Sequence, residues 1–124
     1  MKVLVIDDSK AMRMILGKIL SDIGCEVFDA ADGQAGLNHL ETIGKPDLAL
    51  VDWNMPGMNG LDFIKSVRAL PEYDGVLLMM VTTETEMDHV TTALNAGADE
   101  YVMKPFTTEM ILNKLQILGL DVTK

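Results

Sequence analysis

Val3-Leu4-Val5-Ile6-Asp7-Asp8 is an unbroken apolar run that ends abruptly in two acids. The same design recurs twice. Leu48-Ala49-Leu50-Val51 runs into Asp52, and Tyr101-Val102-Met103 runs into Lys104. Continuous apolar runs of strand length belong to strands covered on both faces, which points to a parallel sheet with helices on either side. In such a sheet every strand ends at the same edge. Asp7, Asp8, Asp52 and Lys104 are therefore predicted to converge there, although the chain separates them widely.

Working outward from these runs, Val76–Val81 reads as a further buried strand. Glu26–Ala30 alternates polar and apolar residues and is expected at an edge. Segments of helical period fill the intervals. Met12, Ile15, Leu16, Ile19, Leu20 and Ile23 follow the i, i+3, i+4 rule, with Gly24 placed for a left-handed cap. The second helix is read as 33–43, with Asp32 as N-cap and Gly44 as its stop. The third is 60–70, closed by Pro71. The fourth is 85–96, ended by Gly97. The fifth is 107–118, with Thr107 as N-cap candidate and Gly119 beyond it. Five βα units over residues 1–124 predict a single α/β domain, a doubly wound (βα)5 sandwich around a five-stranded parallel sheet in the flavodoxin-like order 2-1-3-4-5. In that order the ligand crevice lies between the first and third strands, which carry Asp7-Asp8 and Asp52.

Composition narrows the function. Ten basic against nineteen acidic side chains give a net charge of −9, with no basic cluster to meet a nucleic-acid backbone. The longest apolar run, six residues from Val76 to Val81, is far short of the ~20 needed to span a bilayer. The start of the chain reads as a strand, not a signal peptide. A single cysteine, Cys25, excludes an internal disulfide, fits a reducing cytoplasm and is expected to be buried.

Carboxylates crowded within about 4–6 Å repel one another, by roughly 4 kcal/mol for a pair 4 Å apart at an effective dielectric near 20. Lys104 offsets part of that repulsion and a small divalent cation would offset more. Clustered carboxylate oxygens are ligands of the kind Mg²⁺ takes, commonly with a phosphate completing its shell. A carboxylate beside such an ion and a lysine is placed to attack phosphorus and form an aspartyl phosphate. Asp52, alone at its strand end, is the nucleophile candidate, while the adjacent Asp7 and Asp8 suit holding the cation.

Five fragments carry a resemblance that covers essentially all 124 residues: Val5-Ile6-Asp7-Asp8-Ser9, the stretch from Leu50 to Gly60, Val81-Thr82-Thr83-Glu84, the stretch from Ala96 to Tyr101, and Lys104-Pro105-Phe106. In this order and spacing the chain resembles a response-regulator receiver domain, close to the single-domain chemotaxis regulators called CheY-like. The resemblance implies that Asp52 accepts a phosphoryl group from a histidine kinase or phosphotransfer protein. Asp8 would bind Mg²⁺ directly, Asp7 through water, and the Asn54 carbonyl would add a ligand. Lys104 and the Thr82 hydroxyl would contact the phosphoryl oxygens, Tyr101 would be the switch aromatic, and the Lys104-Pro105 bond would be cis. Asn54 and Glu84 would border the path of attacking water and tune phosphate lifetime. Thr83 stands where a smaller residue is common, and Lys10 adds a cation near the acidic pair.

The fourth helix has three threonines and few large apolar residues, so it is expected to be weakly anchored and to shift on a signal. The output face would then comprise the fourth helix, fifth strand and fifth helix, with Met87 and Met110 as candidate contacts and His89 facing solvent. With no effector domain after residue 124, output is expected through another protein, and the domain is expected to be a monomer. Three readings compete. The first is a phospho-activated binding module, most simply a chemotaxis regulator acting on a flagellar motor switch. The second is a stand-alone relay or phosphate sink. The third is an Asp-nucleophile phosphohydrolase, disfavoured because residue 9 is serine where that class has aspartate. The first two are switches, not enzymes that turn over a substrate.

Overall fold

A computed structural model describes residues 1–120 except Pro56, and at Glu84, Thr85 and Met87 the backbone only. Five strands, β1 (Lys2–Ile6), β2 (Glu26–Ala30), β3 (Leu48–Asp52), β4 (Leu77–Thr82) and β5 (Glu100–Met103), form one sheet. Between and after them lie α1 (Lys10–Asp22), α2 (Gly33–Ile43), α3 (Gly60–Arg68), α4 (Val90–Ala96) and α5 (Thr108–Ile117). All pairings are parallel and the order is β2-β1-β3-β4-β5. The doubly wound arrangement and strand order read from the sequence are those observed. β2 lies at the edge its alternating residues predicted.

Side-chain alternation along the buried strands builds two cores. Leu4, Ile6, Ala49, Val51, Leu78 and Met80 point to one face and pack with Leu40 of α2 and with Phe63, Ile64 and Val67 of α3. Val3, Val5, Leu48, Leu50, Met79, Val81 and Val102 point to the other, against Leu16 and Leu20 of α1 and Ile111 and Leu115 of α5. Cys25 is buried in this second core, and burial pushes its thiol pKa up. On α1 one expected core residue turns outward: Ile15 is 50 % exposed. Leu16, Leu20 and Ile23 fill the space over the sheet, leaving Ile15 on the rim of the stripe.

The caps explain where the helices begin. Ser9, Asp32, Asn59 and Thr107 each accept a hydrogen bond from the backbone N–H three residues on, satisfying donors that a helix start leaves orphaned. The fourth helix departs from expectation. The sequence pattern predicts one α-helix over 85–96, but Glu84–His89 is a 3-10 segment and only Val90–Ala96 is α-helical. Among the described residues of α4, only Val90 and Ala93 are buried. With so little apolar anchorage and poor helix formers, the tighter local 3-10 bonding prevails at its start. A second 3-10 turn, Pro71–Tyr73, follows α3.

The other end of α4 is clamped. Arg68 Nε donates to Gly97 O at 3.0 Å, and its NH2 group donates to Val76 O at 2.8 Å and to Asp99 Oδ2 at 2.9 Å. Asp99 Oδ2 also accepts from Leu78 N at 2.8 Å. Gly97 has φ of 124°, and a Cβ there would lie 2.5 Å from Arg68 Cγ. One guanidinium thus ties α3, the start of β4 and the α4–β5 turn together.

Candidate functional site

The ladder pairs Ile6 with Val51, Asp52 with Val81 and Thr82 with Met103. Asp7, Asp52, Thr82 and Lys104 therefore emerge at adjacent points along one sheet edge. Parallel register brings these distant residues together. Lys104 is drawn in further by its backbone, whose N–H donates to Thr82 O at 2.6 Å. The Lys104-Pro105 peptide bond is cis, as the resemblance implied.

Carboxylate oxygens of Asp7, Asp8 and Asp52 lie within 4.8 Å of one another, the crowding expected from the sequence. They differ in exposure: Asp7 and Asp52 are buried and Asp8 is exposed. Lys104 Nζ is 3.3 Å from Asp52 Oδ1 and 3.7 Å from Asp7 Oδ2. One cation thus serves two buried anions. Asp7 Oδ1 accepts from Ser9 N at 2.9 Å. Its Oδ2 is buried without a hydrogen-bond donor among the described residues, its contact with Lys104 being too long for one.

The titration behaviour follows from this imbalance. Burial, reinforced by the charge of Asp7, lifts the Asp52 pKa from 3.8 to about 6, against the opposing pull of Lys104. Burial likewise raises the Asp7 pKa, while the Ser9 N–H and Lys104 hold it down. A buried carboxylate oxygen lacking a donor, beside two further carboxylates and only one lysine, is short of positive charge. The pocket therefore fits a hard divalent cation such as Mg²⁺, which takes oxygen ligands and retains waters.

A tight backbone turn frames the pocket. Gly60 N donates to Trp53 O at 3.0 Å, and a Cβ at Gly60 would lie only 2.6 Å from Asp52 O. Glycine is required for α3 to begin so close to the end of β3. Asn54, two residues past Asp52, is exposed in this loop. Arg13 shapes the β1–α1 loop, donating to Asp7 O at 2.7 Å and pairing with Asp29 at 3.1 Å.

The remaining sequence candidates surround this cluster. Thr82 is completely buried, and its hydroxyl lies 3.4 Å from both Thr83 O and Glu86 Oε1. Tyr101 is half-buried; Lys114 Nζ sits 4.3 Å from the centre of its ring and 3.0 Å from Glu100 Oε1. Lys10 is exposed at the first position of α1, and Met110 is half-buried against the second core. The side chains of Glu84 and Met87 lie outside the described residues. His89 is exposed as expected, yet its ring stacks on Trp53 with centroids 4.7 Å apart and planes 10° apart.

Arg13, Arg68, Glu86 and the Trp53–His89 stack are parts of this architecture that the sequence reading did not find. Glu86 had a local signal, the Thr83-x-x-Glu86 spacing of a capping box. The others act between segments far apart in the chain and left none.

The chain belongs to the response regulator receiver domain family, whose model matches residues 3–116. The chemotaxis protein CheY1 of Helicobacter pylori is 41% identical over 119 residues, covering 95% of this chain and 96% of that protein. The chemotaxis protein CheY of Pseudomonas aeruginosa is 38% identical, covering 94% of each chain. Among solved structures, the chemotaxis response regulator CheY4 of Vibrio cholerae superposes with a TM-score of 0.87 at 37% identity, covering 94% of this chain and 97% of that one.

Proposed function

We propose that this protein is a phospho-accepting switch of a two-component system, acting in chemotaxis by changing its affinity for a protein target. The observation that carries the reading is Asp52: a buried carboxylate at a strand end, 3.3 Å from Lys104 and clustered with Asp7 and Asp8. Two relatives of similar length, at 41% and 38% identity, are named chemotaxis proteins.

In the proposed reaction an Asp52 oxygen attacks the phosphorus of a phosphohistidine on a kinase or phosphotransfer protein. The new oxygen–phosphorus bond forms as the nitrogen–phosphorus bond breaks. The bonding electron pair stays on the imidazole, which takes up a proton. Asp7, Asp8, Asp52 and the Asn54 carbonyl would hold Mg²⁺, which when bound supplies charge neutralisation for the phosphoryl oxygens. Lys104 shares that work as a fixed cation. The Thr82 hydroxyl turns to the phosphoryl group, and Tyr101 follows it inward. Asn54 and Glu84 set the lifetime of the acyl phosphate. The consequence is a repacked surface of α4, β5 and α5 that a downstream protein reads. This cycle makes the domain a switch and not a substrate-turning enzyme. A reducing cytoplasm suits its one buried thiol.

Incubation with Mg²⁺ and acetyl phosphate should label the protein once, as read by intact mass. Asp52→Asn should abolish the label. Full labelling of that variant would move the acceptor elsewhere and overturn the assignment.

A further inference from the structure

Glu86 places an anion where the switch segment leaves β4. Its Oε1 accepts from Thr83 N at 3.2 Å and from Thr83 Oγ1 at 3.1 Å, and it lies 3.4 Å from Thr82 Oγ1. Glu86 N in turn donates to Thr83 O at 3.0 Å. Among the described residues Glu86 forms no ion pair. Among the described residues, its carboxylate contacts are with the two threonines.

The Thr82 hydroxyl is the poorly held member of this group. Both acceptors near it stand at 3.4 Å, long for a hydroxyl donor, whose usual range is about 2.5–3.0 Å. A phosphoryl group on Asp52, carrying about −2 charge, would compete for that hydroxyl with the single charge of Glu86. Moving Thr82 toward it strains the bonds that Thr83 makes to the same carboxylate oxygen. The Glu84–His89 3-10 segment would have to adjust with them, together with the His89 ring resting on Trp53.

We propose that Glu86 is an internal anion latch, a positioning residue that holds the Thr82–Thr83 segment away from the acceptor aspartate and sets how readily phosphorylation throws the switch. This rests on the reading of Asp52 as phosphoryl acceptor and Thr82 as its hydroxyl partner. Thr83 has a defined part here: its hydroxyl and N–H fasten the latch. A capping box alone has a different signature, since it stabilises the start of the helical segment without opposing the switch.

Titrating beryllofluoride, a phosphoryl analogue, in excess Mg²⁺ while following Trp53 fluorescence separates the two. Glu86→Ala should lower the titration midpoint about tenfold, on the scale of one charge-assisted hydrogen bond. Glu86→Gln, which keeps the acceptor and the cap but loses the charge, should lower it about threefold on the same scale. In a Thr82→Ala background, Glu86→Ala should leave the midpoint unchanged, because no hydroxyl then draws the segment toward the analogue. A lower melting temperature for Glu86→Ala with an unshifted midpoint in both Glu86 variants would make Glu86 a plain cap and overturn the latch. A wild-type protein unresponsive to beryllofluoride would overturn the acceptor reading and the latch together.

Discussion

Replacing Asp52 by asparagine should stabilise this protein in metal-free buffer, even though it removes an ion-pair partner of Lys104 at 3.3 Å. The reason is the carboxyl's raised pKa, from 3.8 to about 6, which burial and Asp7 impose despite that lysine. Each tenfold change in proton affinity is worth about 1.4 kcal/mol. Ionised Asp52 therefore costs the fold about 3 kcal/mol as an upper figure. Because the folded pKa lies above the unfolded one, the stability linked to the neutral form is complete below pH 3.8 and is lost as pH rises through about 6. Asparagine keeps the neutral shape at every pH. Its advantage should be about 3 kcal/mol near pH 7.5, about half that near pH 5, and should vanish at lower pH.

Urea unfolding in EDTA, repeated across this pH range, measures the effect directly. Thermal scans should show the variant melting about 10 °C higher near pH 7.5, given roughly 3–4 °C per kcal/mol for a domain of this size. Added Mg²⁺ should narrow the gap, because a bound cation relieves the same charge in the wild type. An Asp52→Asn protein no more stable than wild type near pH 7.5, or one whose gain ignores pH, would refute the picture of a pocket short of positive charge.

Two further outcomes test the site and its support. Mg²⁺ should change Trp53 fluorescence with a midpoint in the millimolar range, because Mg²⁺ sheds its waters reluctantly; EDTA should reverse the change, and Asp8→Asn should weaken binding at least about tenfold. Arg68→Ala should cost about 3 kcal/mol of stability in urea unfolding by removing the donor to the Gly97 and Val76 carbonyls and the charge partner of Asp99; a loss under about 1 kcal/mol would show that water replaces the guanidinium at no consequence.

Much of the architecture was legible because its signals are local. Nearly continuous apolar runs marked β1, β3 and β4 as strands covered on both faces, and the alternation of Glu26–Ala30 marked one edge; the apolar run of β5 gave no sign that it forms the other edge with only Val102 buried. Charged residues directly after strand ends marked the site, since parallel strands share one edge whatever their order. The reading failed where the decision lay in competition between neighbours. Ile15 fits the apolar period of α1 but not the space over the sheet. The segment from Thr85 to His89 has the outline of a helix, yet it is 3-10, and the α-helix that follows it buries only Val90 and Ala93 among its described residues.

Periodicity and residue type were thus enough for the strands and the acids at the sheet's rim, because burial on both faces writes itself into consecutive residues, and the count of five βα units then implied the order of the sheet. The pKa of Asp52, the orphaned oxygen of Asp7, the Arg68 clamp, the Trp53–His89 stack and the hold of Glu86 on Thr82 and Thr83 came only with the folded chain. Each depends on distances and desolvation that exist only once the chain has packed, and even the short-range Glu86 contact takes its meaning from where β4 delivers Thr82.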